Sequence, residues 1–263
     1  MSKVEVLVAC INQADDALYK EMNLQTDAIL ANQAKEFSYR EYLQENGRVA
    51  KLITTPDRGV GKNRNKALLF ASAEYILCAD QDMIYEDGYE ATVREAFERC
   101  PKADAIVFNL TYLNRFSKGR KAGRRIKKVH IYNSLRYGAA RIAIRRTALE
   151  KATLSFSHLY GGGAKYSAGE DTLFIRDAFR KGLKIYYYPT AIAKVKQEES
   201  TWFKGYTDKF FIDKGVLLAN AFPFMKFFLV YYFAYRMRKL SKDYSFRKIC
   251  KLMKKGFGQF KKM

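Results

Sequence analysis

Apolar and polar positions change period several times along the chain, and each change marks an element. VEVLVACI, from Val4 to Ile11, is a continuous apolar run of strand length, and AKLITTP, from Ala50 to Pro56, predicts a second strand that proline ends. Between them DAILANQ, from Asp27 to Gln33, predicts a strand with a polar end. At GVGKNRNKALLFASA the pattern turns helical, with glycines at 59 and 61 followed by good helix formers from Asn63 to Ala73. YILCAD is the next strand. Glu86 to Cys100 predicts an amphipathic helix with Tyr89, Val93 and Phe97 near one face, and DAIVFNLTYL, from Asp104 to Leu113, resumes as a strand.

The second half is less regular. RYGAARIAIRR predicts a strand returning to the sheet, LYGGGAKYSAGED (Leu159 to Asp171) is a glycine-rich loop, and TLFIRDAFRKG is a helix that stops at Gly182 before the strand LKIYYYP. The longest apolar and aromatic run, Val216 to Tyr235, is interrupted by Asn220, Pro223 and Lys226. That argues against a bilayer span of about 20 residues and for an amphipathic helical extension on a membrane or a partner. Strands alternating with helices over the first 110 residues predict a Rossmann-like, three-layer α/β domain with a mostly parallel sheet. Ligands of such sheets bind outside the carboxyl ends of the strands. No repeat or low-complexity linker divides the chain, so the expected organisation is one domain over residues 1–215 and an aromatic, basic helical extension over 216–263.

Composition narrows the classes. An apolar content of 48% over 263 residues argues against disorder and is too low for a multi-span membrane protein. No apolar segment follows the start MSKVEVLVAC as in a signal peptide, so the expected location is cytoplasmic. Cys10, Cys78, Cys100 and Cys250 lack CxxC spacing and read as small buried hydrophobes. The net charge of +21 calls for a polyanionic partner: nucleic acid, anionic membrane or phosphorylated substrate. From Arg236 to Met263 there are eleven basic residues and one acidic, a net of +10, and a second concentration runs from Asn114 to His130.

Three stretches carry candidate chemistry. Asp80 and Asp82 follow the strand YILCA one residue apart. In extended chain, residues i and i+2 point to one side, so both can approach one divalent cation, and Mg2+ and Mn2+ take carboxylate, water and phosphate oxygens. The plainer reading is a pair of loop aspartates capping the following helix. Glu170 and Asp171 sit at a helix start, where the dipole favours carboxylates; they are either a cap with a first-turn acid or a general base for an attacking hydroxyl. DRGVGKNRNKAL is neither a Walker A loop nor GxGxxG, but it offers a two-glycine turn and then Arg64 and Asn65, suited to a nucleotide phosphate or base edge. His130 and His158 precede the second acidic pair and read as hydrogen-bonded structural histidines.

The order of these pieces, from VEVLVACINQ through DRGVGKNRNKAL, YILCADQDM and GGGAKYSAGED to ESTWFKGY, resembles the family 2 glycosyltransferases of GT-A fold, in particular small bacterial members that serve cell-surface polysaccharide synthesis. The likeness covers roughly Val4 to Lys214. It implies an inverting transfer of one sugar from a nucleoside diphosphate donor, such as a UDP-linked hexose, to a glycan or lipid-linked acceptor. It further implies donor contacts from Asp57, Arg64, Asn65 and Asp80, a Mn2+ or Mg2+ ion on Asp82, Asp171 as general base, and acceptor contacts from Glu170 and Trp202. The QxxRW motif of processive synthases is absent, Trp202 standing in ESTWFKGY instead, which favours single addition over polymerisation. The basic tail is expected to hold the protein peripherally on the inner face of the cell membrane, or to join a homo-oligomer. Two other classes compete: a nucleic-acid-binding module, suggested by charge and aromatics but without a recognisable module, and a metal-dependent nucleotidyltransferase. No nucleic acid partner is expected.

Overall fold

The computed structural model describes residues 3–113, 123–196, 205–241 and 243–260. Trp202 and most of the basic run that begins at Asn114 lie outside the described residues. In chain order the elements are β1 (Val4–Ile11), α1 (Ala17–Glu21), β2 (Asp27–Gln33), β3 (Ser38–Leu43), β4 (Val49–Thr55), α2 (Val60–Phe70), β5 (Tyr75–Asp80), β6 (Met83–Tyr85), α3 (Tyr89–Arg99) and β7 (Ala105–Tyr112). They continue with β8 (Lys127–Lys128), two short 3-10 turns (Ile131–Arg136 and Ala139–Arg141), β9 (Ile142–Arg145), α4 (Arg146–Lys151), α5 (Glu170–Arg180), β10 (Ile185–Val195), α6 (Asp208–Ala221), α7 (Lys226–Met237) and α8 (Phe246–Phe260).

One sheet runs through the chain in the order β3-β4-β2-β1-β5-β9-β7-β10-β6, with β8 added on β10. β4, β2, β1 and β5 are mutually parallel, and β7 and β10 are parallel to each other. β9 runs antiparallel to both β5 and β7 and joins the two halves. The alternation in β1 shows why the sheet is covered on both faces. Val4, Val6 and Val8 pack with Leu18 and Tyr19 of α1 and Val93 and Phe97 of α3, whereas Leu7 packs with Ala67 of α2. This is the expected three-layer arrangement, a GT-A-like α/β domain with a helical extension behind it. The apolar and aromatic run becomes two helices broken at Phe222–Met225, and these pack with α8 around Phe211, Val230 and Met253.

Two local expectations change. The stretch read as one returning strand begins in 3-10 turns, through Arg136 and Ala139–Arg141, and only Ile142–Arg145 joins the sheet. Glycine at 138 and the Ala-Ala-Arg that follows have little β preference. The strand expected to stop at Pro189 continues to Val195, because its register against β7 shifts beyond Tyr187 and the proline falls in that irregularity.

Candidate active site

The parallel strands deliver their carboxyl ends to one edge, and β1 is the point where the chain order reverses, with β2 on one side and β5 on the other. Polar residues that end these strands organise that edge. Asn32 of β2 accepts a hydrogen bond from the Gln13 amide at 2.9 Å and donates to its carbonyl at 2.8 Å, and the Gly59 amide donates to Gln33 at 2.9 Å. The polar end of this strand is therefore scaffolding, buried at Asn32 and Gln33.

Arg64, on the second turn of α2, is the centre of the site. Its guanidinium donates to Asp80 at 2.7 Å and to Asp171 at 2.6 Å, and Glu170 approaches it at 3.5 Å. The side chain is only 4% exposed. Burial alone would depress the guanidinium, but the charges of Asp80, Asp171 and Glu170 hold it well above its ordinary value. The two acidic motifs thus meet through one cation. In this arrangement carboxylates balance the charge of a guanidinium that is taken out of water. Asn65 is likewise committed. It accepts from the Phe156 amide at 2.7 Å, donates to the Phe156 carbonyl at 2.8 Å, and lies 2.9 Å from the His158 ring nitrogen, so both bear on the loop that precedes the glycine-rich turn.

Glu170 and Asp171 open α5, as their sequence context suggests, and the residue before them has a structural demand of its own. Gly169 has φ of +128°, and an added Cβ would come within 2.6 Å of Leu217 on α6. Glycine is required there for conformation and for space. Glu170 accepts from the Gly169 amide at 3.1 Å. Burial pushes its carboxyl up to about 7, with the Asp171 charge adding to the effect and Arg64 opposing it.

Asp80, Asp82 and Asp171 share a cleft of about 250 Å3 with Tyr112, Arg136 and Arg141. Arg141 donates to the Tyr112 hydroxyl at 2.8 Å. These two arginines, which the sequence did not mark as candidates, bring positive charge to the cleft that holds the acids; the available signal was the pair of arginines around a glycine in RYGAAR. Gly138 lies beside them, and a Cβ there would sit 3.0 Å from Asp171 Oδ2. Asp57 stands apart in the turn after β4, half exposed and 3.7 Å from Lys66. Two larger hollows, of about 420 and 430 Å3, lie beside α1 and at the end of α5, and neither contains any of the marked carboxylates.

Among the described residues no three His, Cys, Asp or Glu side chains are grouped to hold a metal. The strand end offers two carboxylates, one of them ion-paired with Arg64. One or two carboxylates completed by phosphate oxygens and water is a usual Mg2+ environment. The residues therefore fit an ion that arrives with a diphosphate, and they do not fit an ion caged by protein alone.

Among solved structures, residues 1–349 of S. aureus TarS in complex with UDP-GlcNAc superpose with a TM-score of 0.63 at 18% identity, covering 91% of this chain and 74% of that one. The same protein in complex with UDP gives 0.63 at 16%, with 91% and 73% covered. At this identity the likeness speaks for the fold. No curated protein sequence matches the chain. The profile of glycosyl transferase family 2, however, matches residues 26–159, just over half of the sequence, a span that includes Arg64, Asp80 and Asp82. The chain belongs to glycosyl transferase family 2, whose members transfer a sugar from a nucleotide-sugar donor to an acceptor.

Proposed function

We propose that the protein adds a single sugar, with inversion, from a UDP-linked hexose to a hydroxyl of a glycan or lipid-linked acceptor in bacterial cell-surface polysaccharide synthesis. The observation that carries this reading is the ion-pair bridge: Arg64 holds Asp80 and Asp171, which are 2.7 and 2.6 Å from its two terminal nitrogens, at the carboxyl edge of the sheet. A donor-side acid and a candidate base are thereby kept within one cleft. The UDP-GlcNAc in the structurally similar TarS supports a UDP-linked donor.

In the proposed reaction Asp171 takes the proton of the acceptor hydroxyl through Oδ2, the oxygen beside Gly138, while Arg64 anchors Oδ1. The acceptor oxygen attacks the anomeric carbon opposite the nucleotide. The bond from that carbon to the diphosphate oxygen breaks, so configuration inverts and no covalent enzyme intermediate forms. Asp57, Arg64, Asn65 and Asp80 contact the donor, and Glu170 and Trp202 serve the acceptor. Arg136 and Arg141 draw the negatively charged leaving group to the cleft. Asp82 would hold Mn2+ or Mg2+ together with the diphosphate, and the bound ion supplies neutralisation of charge on the leaving group. Residues 1–215 would form the transferring domain, and the extension 216–263 would keep it on the inner membrane face.

The test is transfer from UDP-sugars by the Asp171→Asn protein. A folded variant should lose about 100-fold to 10,000-fold in rate, and near wild-type transfer would remove the base assignment.

A further inference from the structure

Helix α7 divides its residues cleanly between two faces. Leu229, Val230 and Ala234 are buried with α6 and α8, while Phe227, Phe228, Tyr231, Tyr232 and Tyr235 stay exposed on the other side. At 3.6 residues per turn these five occupy an arc of about 140°. Phe224, at the corner that leads into the helix, is 99% exposed, and Phe228 is 68% exposed. A contiguous aromatic surface of this kind marks a binding face.

We propose that this face of α7 docks on an anionic phospholipid bilayer, with the helix lying in the plane of the headgroups. Its 12 residues span about 18 Å, and no helix among the described residues is long and apolar enough to cross a membrane. Charge selects the occupant. Lys226 lies over Phe227, Arg236 over Tyr232, Arg238 over Tyr235 and Lys254 over Tyr231, so cations are interleaved with the rings. From Phe222 to Phe260 the only acidic residue is Asp243. A second copy joined through the same face would set cation against cation, whereas lipid phosphates neutralise this pattern while the rings enter the headgroup layer.

The other basic helix has a different part. The apolar face of α8, Ile249, Met253 and Phe257, is already buried, and Gly215 of α6 meets it so closely that a Cβ would collide with the Met253 carbonyl. α8 is therefore the brace and α7 the docking surface. Leu217 of α6 abuts Gly169, so the docked face is tied through one helix to the start of α5, where Glu170 and Asp171 stand. The consequence for a lipid-linked acceptor rests on the transferase reading, but the docking does not.

Co-sedimentation of the full chain with phosphatidylglycerol-containing vesicles, and separately with pure phosphatidylcholine vesicles, tests this directly without any sugar donor. Wild type should prefer the anionic vesicles, and Phe224→Ser/Phe228→Ser should bind them at least about tenfold more weakly with an unchanged melting temperature. Because both side chains lie outside the bundle core, folding should survive; Arg238→Glu/Lys254→Glu provides an independent variant with the same expected loss. Wild-type-level binding by the variants, no preference for anionic lipid, or a wild-type dimer dissociated by these substitutions would overturn the proposal. UDP-induced stabilisation, measured on the same variants, reports on the transferase reading alone.

Discussion

A guanidinium that is 4% exposed and surrounded by three carboxylates is stable only as part of the set. Arg64→Met would leave Asp80, Glu170 and Asp171 repelling one another, at a cost of about 2–4 kcal/mol once solvent access at Asp80 and Asp171 is allowed for. Urea unfolding measures it, and a change below about 1 kcal/mol would mean that the acids find other partners. Glu170 makes a prediction of opposite pH sense from an ordinary paired carboxylate. Its carboxyl ionises near 4.5 when unconstrained and at about 7 when folded, so between these values the folded state binds more protons. Its contribution to stability is full below pH 4.5 and fades as pH rises through 7. Melting temperatures of wild type and Glu170→Gln from pH 5 to 8 should diverge in favour of the variant as pH rises; a constant gap would contradict the shift. At Gly138 an added methyl would press on Asp171 Oδ2 without backbone strain, since φ is −95°. Gly138→Ala should lower kcat roughly tenfold through misplacement of that oxygen, with little change in melting temperature. Asp80, Asp82 and Asp171 were legible as motifs, but the bridge that Arg64 makes between Asp80 and Asp171 was not. Its partners lie 16 and 107 residues away, a pairing that only the fold creates.

At the scale of elements, legibility followed burial. β1, β2, β4 and β5 are buried on both faces, so their apolar runs announced them. β3, SYREYL, is a largely exposed edge strand carrying Arg40 and Glu41, and such an edge has no apolar signature. The bundle shows the same limit. The C-terminal segment read as one amphipathic surface, yet α8 spends its apolar face on α6, and the pair of glycines that permits this contact is unremarkable in sequence. A Cβ at Gly215 or Gly256 would strike backbone of the facing helix. Alanine at either position should therefore destabilise the protein by about 1–3 kcal/mol, in spite of the helix propensity gained. A rise in the urea midpoint on Gly256→Ala would show that the helices can separate freely.

For the molecule as a whole, alternating periods predicted the layered α/β architecture because three-layer sheets impose a pattern on every strand and helix. The cleft was only half visible, since its basic lining comes from the turns at Arg136 and Arg141, where no periodicity operates. That lining, acids and arginines in one cleft with no protein cage for a metal among the described residues, sets how nucleotide and ion should be linked. An ion held jointly by Asp82 and a diphosphate stabilises the fold only when both are present. UDP at about 100 times its Kd should contribute about 2.7 kcal/mol, raising the melting temperature by roughly 5–10 °C in Mn2+ or Mg2+. Chelation with EDTA should abolish most of that rise yet leave the melting temperature of the nucleotide-free protein unchanged, and Asp82→Asn should reproduce the chelated result. If the rise survives both treatments, the two arginines hold the diphosphate unaided and the metal has no place in donor binding; if EDTA alone lowers the melting temperature, the ion is held without nucleotide and the jointly bound site is wrong.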